Sequence, residues 1–230
     1  MRRIRPTTVF SLLGIVLTTA SVVASIAQYK AADLQAQAAV ISLAPQIEVQ
    51  SPLLKEDPDG SKFTDRHIVV SSDGGPVKNF DSESITWLEI GRYGEPVFQQ
   101  PLNGYFHSTF NTGRQKGELA TLVGHRNHQK FLSLSETARN FFPDGLGVEG
   151  PKSILSISYR DVFGKNQREF FFVSHGTAIL LSVEDGAKRW QELRDLPSKV
   201  RPIDLDQMGD ASKVKAWVDY IGPQLPPSRK

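Results

Sequence analysis

The chain has 230 residues, 39% apolar and 23% charged, an ordinary globular balance that argues against disorder over most of its length. Its formal charge is +2, but Arg2, Arg3, Arg5 and Lys30 all precede the first acid, Asp33, leaving 23 basic against 25 acidic residues in the rest. A near-neutral body lacks the clustered Lys and Arg that track phosphate, so no nucleic acid is expected as partner. The absence of cysteine excludes disulfide scaffolds, thiolate metal sites, iron–sulfur clusters and thiol catalysis.

Residues 1–8 form a basic flank, and the run from Val9 to Ala27 (VFSLLGIVLTTASVVASIA) carries no charge. At about 1.5 Å per residue, a helix of roughly nineteen residues reaches about 28 Å, close to the hydrocarbon thickness of a bilayer. Residues 9–27 are therefore expected to form one transmembrane helix. The alternative is a cleaved signal peptide, because Ser25-Ile26-Ala27 offers small residues to a peptidase, but signal-peptide cores usually run about 7 to 15 residues. The arginines favour the cytoplasmic side, which puts the N-terminus in the cytoplasm and the body on the extracellular side of the cell membrane. Residues 28–45, rich in Ala, Leu and Gln, read as a juxtamembrane helix that Pro45 ends. Leu34, Ala38 and Ile41 make a thin apolar stripe on it, suited to packing on the body or on a second copy of the chain.

Residues 46–222 change character, with β-rich runs separated by turn dipeptides such as Asp59-Gly60, Asp73-Gly74 and Asn103-Gly104. The expected strands are 66–72, 84–90, 96–100, 119–124, 153–159, 168–174 and 178–183. The clearest pair is a hairpin over 153–174, in which Leu155, Ile157 and Tyr159 alternate with polar residues before Phe170-Phe171-Phe172. Its apolar face needs a second sheet or the far wall of a barrel as cover. Three helices are expected. One starts at the capping box Ser133 to Glu136 and reaches Phe142. A second spans 184–196 with Ala187, Trp190 and Leu193 as its stripe, and a third carries Val214, Trp217, Val218 and Ile221. Residues 223–230 read as a disordered tail.

Motifs for chemistry are sparse. Gly145, Gly147 and Gly150 satisfy G-x-G-x-x-G, but a helix precedes and a strand follows, the reverse of the order that delivers a pyrophosphate to a helix N-terminus. His125 and His128 stand three apart after a strand without an identifiable third metal ligand, so no metal or cofactor is expected. His125 can serve as a general acid or base if a nucleophile faces it. Ser174 and His175 are adjacent in a strand, which is expected to point them to opposite faces.

Taken together, Trp87-Leu88-Glu89-Ile90, the segment 96–99, Asn103-Gly104-Tyr105-Phe106 and Gly124-His125 resemble the landmarks of sortases, especially class B, over roughly residues 84–190. The resemblance implies an N-terminal anchor in a bacterial cell envelope and a mainly β fold, an antiparallel sortase-like β-barrel (or β-sandwich) with a few added helices. It also implies a histidine at His125 and an arginine at Arg189 as catalytic residues. The nucleophile departs from the pattern: Leu181-Ser182-Val183-Glu184 offers Glu184 where the family has cysteine, and a carboxylate is a far poorer acyl acceptor than a thiolate. The resemblance thus implies a single-pass, membrane-anchored sortase-like protein without transpeptidase activity, which binds a peptide segment or another envelope protein. The alternative is a tethered acyl transferase or hydrolase using His125 with an unrecognised nucleophile or metal. Expected partners are the lipid bilayer, another protein or envelope component, and, through residues 28–43, a homo-oligomer.

Overall fold

The computed structural model describes residues 6–56, 59–92, 97–142 and 146–225; side chains before residue 18, and those of 19, 20 and 42, fall outside that description. The chain forms two compact units, Met1–Ala44 and Pro45–Lys230. The first is a single helix, α1 (Pro6–Leu43), 38 residues without an internal break. Its expected stripe is exposed, at 65% for Leu34 and 67% for Ile41. Among the described residues no helix is long and apolar enough to cross a membrane. Much of the 9–27 run, including residues 9–17, lies outside the described side chains.

The second unit is mainly β. In chain order it runs β1 (Pro45–Gln50), β2 (Leu53–Lys55), β3 (Phe63–Arg66), β4 (Ile68–Gly74), β5 (Lys78–Gly91), β6 (Phe98–Asn103), β7 (Ser108–Asn111) and β8 (Gly117–Val123). Helix α2 (Asn127–Arg139) follows, then β9 (Gly147–Val148), β10 (Lys152–Arg160), β11 (Asn166–Ser174) and β12 (Thr177–Leu180). Helix α3 (Val183–Asp195), β13 (Ile203–Asp204) and α4 (Ala211–Ile221) complete it. One sheet has the order β1-β4-β8-β7; the larger has β12-β11-β10-β5-β6-β13, with β9 also on β5; β2 and β3 form a separate ribbon. Every pairing is antiparallel except β13 with β6.

Three clusters hold these layers together. Ile68, Val70, Leu119 and Leu122 of the smaller sheet pack on Leu155, Ile157, Tyr159, Phe171 and Val173 of the larger. This is the cover that the apolar hairpin requires. On its other face, Trp87, Ile154 and Phe170 are covered by Trp190 and Leu193 of α3. The third cluster joins Leu88, Ile90 and Leu102 to Phe131 and Leu134 of α2 and to Val214, Trp217, Val218 and Ile221 of α4. Each fully buried large apolar side chain contributes roughly 1.5–3 kcal/mol.

Three expectations are corrected. The sheets do not close into a barrel: β1 and β12 adjoin, but β7 ends the smaller sheet, and β5 pairs with β6 only over Trp87–Ile90. Its first half, from Lys78 to Thr86, therefore has one side without a partner strand among the described residues. Second, Ser133 does not start a helix. α2 begins six residues earlier, behind Arg126 in the left-handed region (φ 52°), because contacts of Asn127 fix the chain there. Third, β7 has no counterpart among the expected strands; all four of its residues are exposed, so no hydrophobic alternation marks it.

Candidate functional site

The loop after β8 carries His125. Gly124 approaches so closely that a Cβ there would lie 2.3 Å from the Tyr105 carbonyl oxygen, which requires glycine. Asn127, fully buried, then knits three segments. Its Oδ1 accepts from the N–H of Arg66 (2.7 Å) and of His128 (2.8 Å), while its Nδ2 donates to the carbonyls of Arg66 (2.8 Å) and Tyr105 (2.9 Å). Arg126 donates its backbone N–H to Asp65 Oδ1 (2.6 Å), and its guanidinium pairs with Glu56. Asp206 binds both His107 (3.3 Å) and Lys130 (2.5 Å).

Burial lowers the pKa of His128, and Arg66 lowers it further; burial also lowers that of His67, partly offset by Asp65. Both are thus biased toward the neutral form. Burial pushes the Tyr105 phenol up to about 12, and its hydroxyl has no hydrogen-bond partner among the described residues. His125 itself is exposed, and no hydrogen bond or ion pair joins it to a nucleophile among the described residues. The described residues also contain no group of three metal-ligating side chains.

Arg189 belongs to the opposite side of the larger sheet. It lies on α3, its guanidinium 5.2 Å from the centre of the Trp87 ring and 3.1 Å from Glu192. Glu184 is exposed in the first turn of the same helix, which Ser182 caps by accepting the Asp185 N–H. The fold does not bring His125, Glu184 and Arg189 together. Ser174 and His175, expected on opposite faces, do meet: His175 leaves the strand in the left-handed region (φ 51°), and Ser174 Oγ lies 2.8 Å from His175 Nδ1. The pair sits on an exposed turn. Of the G-x-G-x-x-G glycines, Gly145 lies outside the described residues, and Gly147 opens β9 rather than a helix.

The most distinctive surface is the open side of the sandwich, where β7 faces the first half of β5. Thr112 donates its N–H to the Leu119 carbonyl at 2.8 Å, directly across the β7–β8 register. The alternation of an antiparallel ladder then turns the N–H groups of Thr109 and Asn111 outward, away from β8. On the other rim, the Ser82 N–H donates to the Asp81 carboxylate (3.0 Å), while Ser82 Oγ is buried without a partner among the described residues. Phe80 and Phe106 pack beneath, against the inter-sheet core. A cavity of about 340 Å³ occupies one end, lined by Val77 to Phe80, Asn111, Gly113 to Gln115 and Leu119. A second, of about 320 Å³, lies between Ser84 to Thr86, the segment Pro101 to Phe106, and Leu193, Arg194 and Pro197 at the end of α3, so it opens toward the α3 side of the sheet. Sequence reasoning missed this surface, although the basic turn Gly113-Arg114-Gln115-Lys116-Gly117 was a visible signal.

Compared with known proteins, the chain matches no family model, no curated protein and no solved structure.

Proposed function

We propose that the chain is a membrane-anchored, sortase-like envelope protein that binds an extended peptide segment by strand addition and lacks transpeptidase activity. One observation carries the reading: two strand edges, β7 and the first half of β5, stand unpaired on the same side of an apolar core. Unpaired edges are templates for another strand, because main-chain N–H and C=O groups there still lack ladder partners. The missing cysteine, together with the separation of His125 from Arg189, supports binding over acyl transfer. A tethered hydrolase or transferase built on His125 has less support, since no hydrogen bond joins that imidazole to a nucleophile among the described residues. The helical first unit serves as the anchor, with the body on the extracellular side.

Thr109→Pro provides the test. It removes an outward N–H while leaving the β7–β8 ladder bonds intact, so the fold is retained. Binding of short extended peptides by the full chain in detergent, measured by fluorescence anisotropy over a peptide library, should fall at least tenfold in this variant. Undiminished binding would remove β7 from the site.

A further inference from the structure

The geometry points to a receptor for the free C-terminal carboxylate of that peptide, formed by Lys78 and Arg114 at one end of the open side. This inference rests on the strand-addition reading and adds the ligand's polarity and end group.

The 340 Å³ cavity at this end contains two cationic side chains and no acid among its lining residues. Neither Lys78 nor Arg114 has an ion pair among the described residues. Some cations elsewhere on this body meet acids, Lys130 with Asp206, Lys152 with Glu89 and Glu149, and Lys215 with Asp219, while exposed ones such as Lys188 and Lys213 make no ion pair among the described residues; the Lys78 and Arg114 pair differs in lining a cavity that holds no acid. An uncompensated pair of cations beside an apolar floor of Val77 and Leu119, each 1% exposed, is complementary to an anion attached to an apolar group.

Chain geometry selects which anion. The Val77 N–H donates to the Gln115 carbonyl at 2.9 Å, so the two rims are tied together at this end. An extended segment lying between β5 and β7 cannot run through the tie and must finish there. Of the two chain ends, only the carboxylate suits Lys78 and Arg114. The ligand then runs antiparallel to β5 and parallel to β7, with the side chain of its last residue over Val77, Phe80 and Leu119. Asn79, in the left-handed region at φ 50°, lies between Lys78 and Phe80 at the same cavity.

The experiment compares a fluorescein-labelled hexapeptide of alternating Thr and Val, ending in Leu with a free carboxylate, with the same peptide amidated. Both are titrated against the full chain in detergent micelles. The acid should bind at least tenfold more tightly, and added salt should shrink the difference. In the double variant Lys78→Met, Arg114→Gln, the acid should bind no better than the amide; both substituted side chains are exposed and have no side-chain hydrogen bond or ion pair to lose among the described residues. Equal binding of acid and amide by the unsubstituted chain, or a preference that survives the double variant, overturns the inference while the strand-addition reading stands. If neither peptide binds at any concentration, both readings fall together. An Asp side chain placed inside an amidated peptide that restores full affinity would also overturn the terminal assignment.

Discussion

Asn127 shows how one side chain decides where an element begins. The amide uses both of its polar atoms on four backbone groups drawn from β3, the Tyr105 loop and α2 itself; the bond to Tyr105 is buried and the other three are partly buried. A buried backbone carbonyl that loses its donor keeps the full cost of desolvation, about 1–3 kcal/mol each. Asn127→Ala is accordingly expected to lower unfolding stability by about 3 kcal/mol or more. Asn127→Asp should be comparably harmful, since it removes the Nδ2 donor from the Arg66 and Tyr105 carbonyls. Urea denaturation of the variants measures this, and a loss below about 1 kcal/mol would mean that water replaces the amide.

Helix α3 illustrates how an element is fitted to the sheet. Its expected stripe included Ala187, yet Ala187 is exposed and Gly186 is buried in its place. A Cβ added to Gly186 would lie 2.4 Å from the Cβ of Phe170, so the helix backbone rests directly on that strand residue. Gly186→Ala gains helix propensity worth about 1 kcal/mol but must push the helix off the sheet. Overpacking of this kind costs about 1–3 kcal/mol, and contact with a Cβ leaves little room for rotamer escape. The expected outcome is a net loss of about 2 kcal/mol with a lower Tm; an unchanged or raised Tm would show that α3 glides freely over β11. The cation–π contact of Arg189 with Trp87 belongs to the same seam, which gives that arginine a packing role.

At the scale of the molecule, the division into Met1–Ala44 and Pro45–Lys230 separates a helix from a body with its own three apolar clusters. The body therefore contains what it needs to fold without the helix. A chain lacking residues 1–44 should retain its strand-rich circular dichroism and cooperative unfolding, and should appear in the soluble fraction of cells. The full chain should stay in the membrane fraction after a carbonate wash. Release of the full chain by that wash would remove the anchor from the proposal, and loss of cooperative unfolding on truncation would show that the helix is part of the body's stability.

Local pattern determined a good deal here. The alternation over 153–174 and the stripe Val214, Trp217, Val218 and Ile221 are short-range signals, and strand and helix periodicities express them directly. Composition likewise excluded thiol chemistry without any coordinates. What only the tertiary structure decided are relations between distant residues: that the sheets part along β5 and β7, that Lys78 and Arg114 share one cavity, and that a sheet separates His125 from Arg189. Barrel closure depends on which strand edges find partners, and a strand such as β7, exposed on both faces, carries no alternation to reveal it. The start of α2 was hidden for a related reason, since Asn127 acts through bonds to residues 22 and 61 positions away, beyond the reach of any local period.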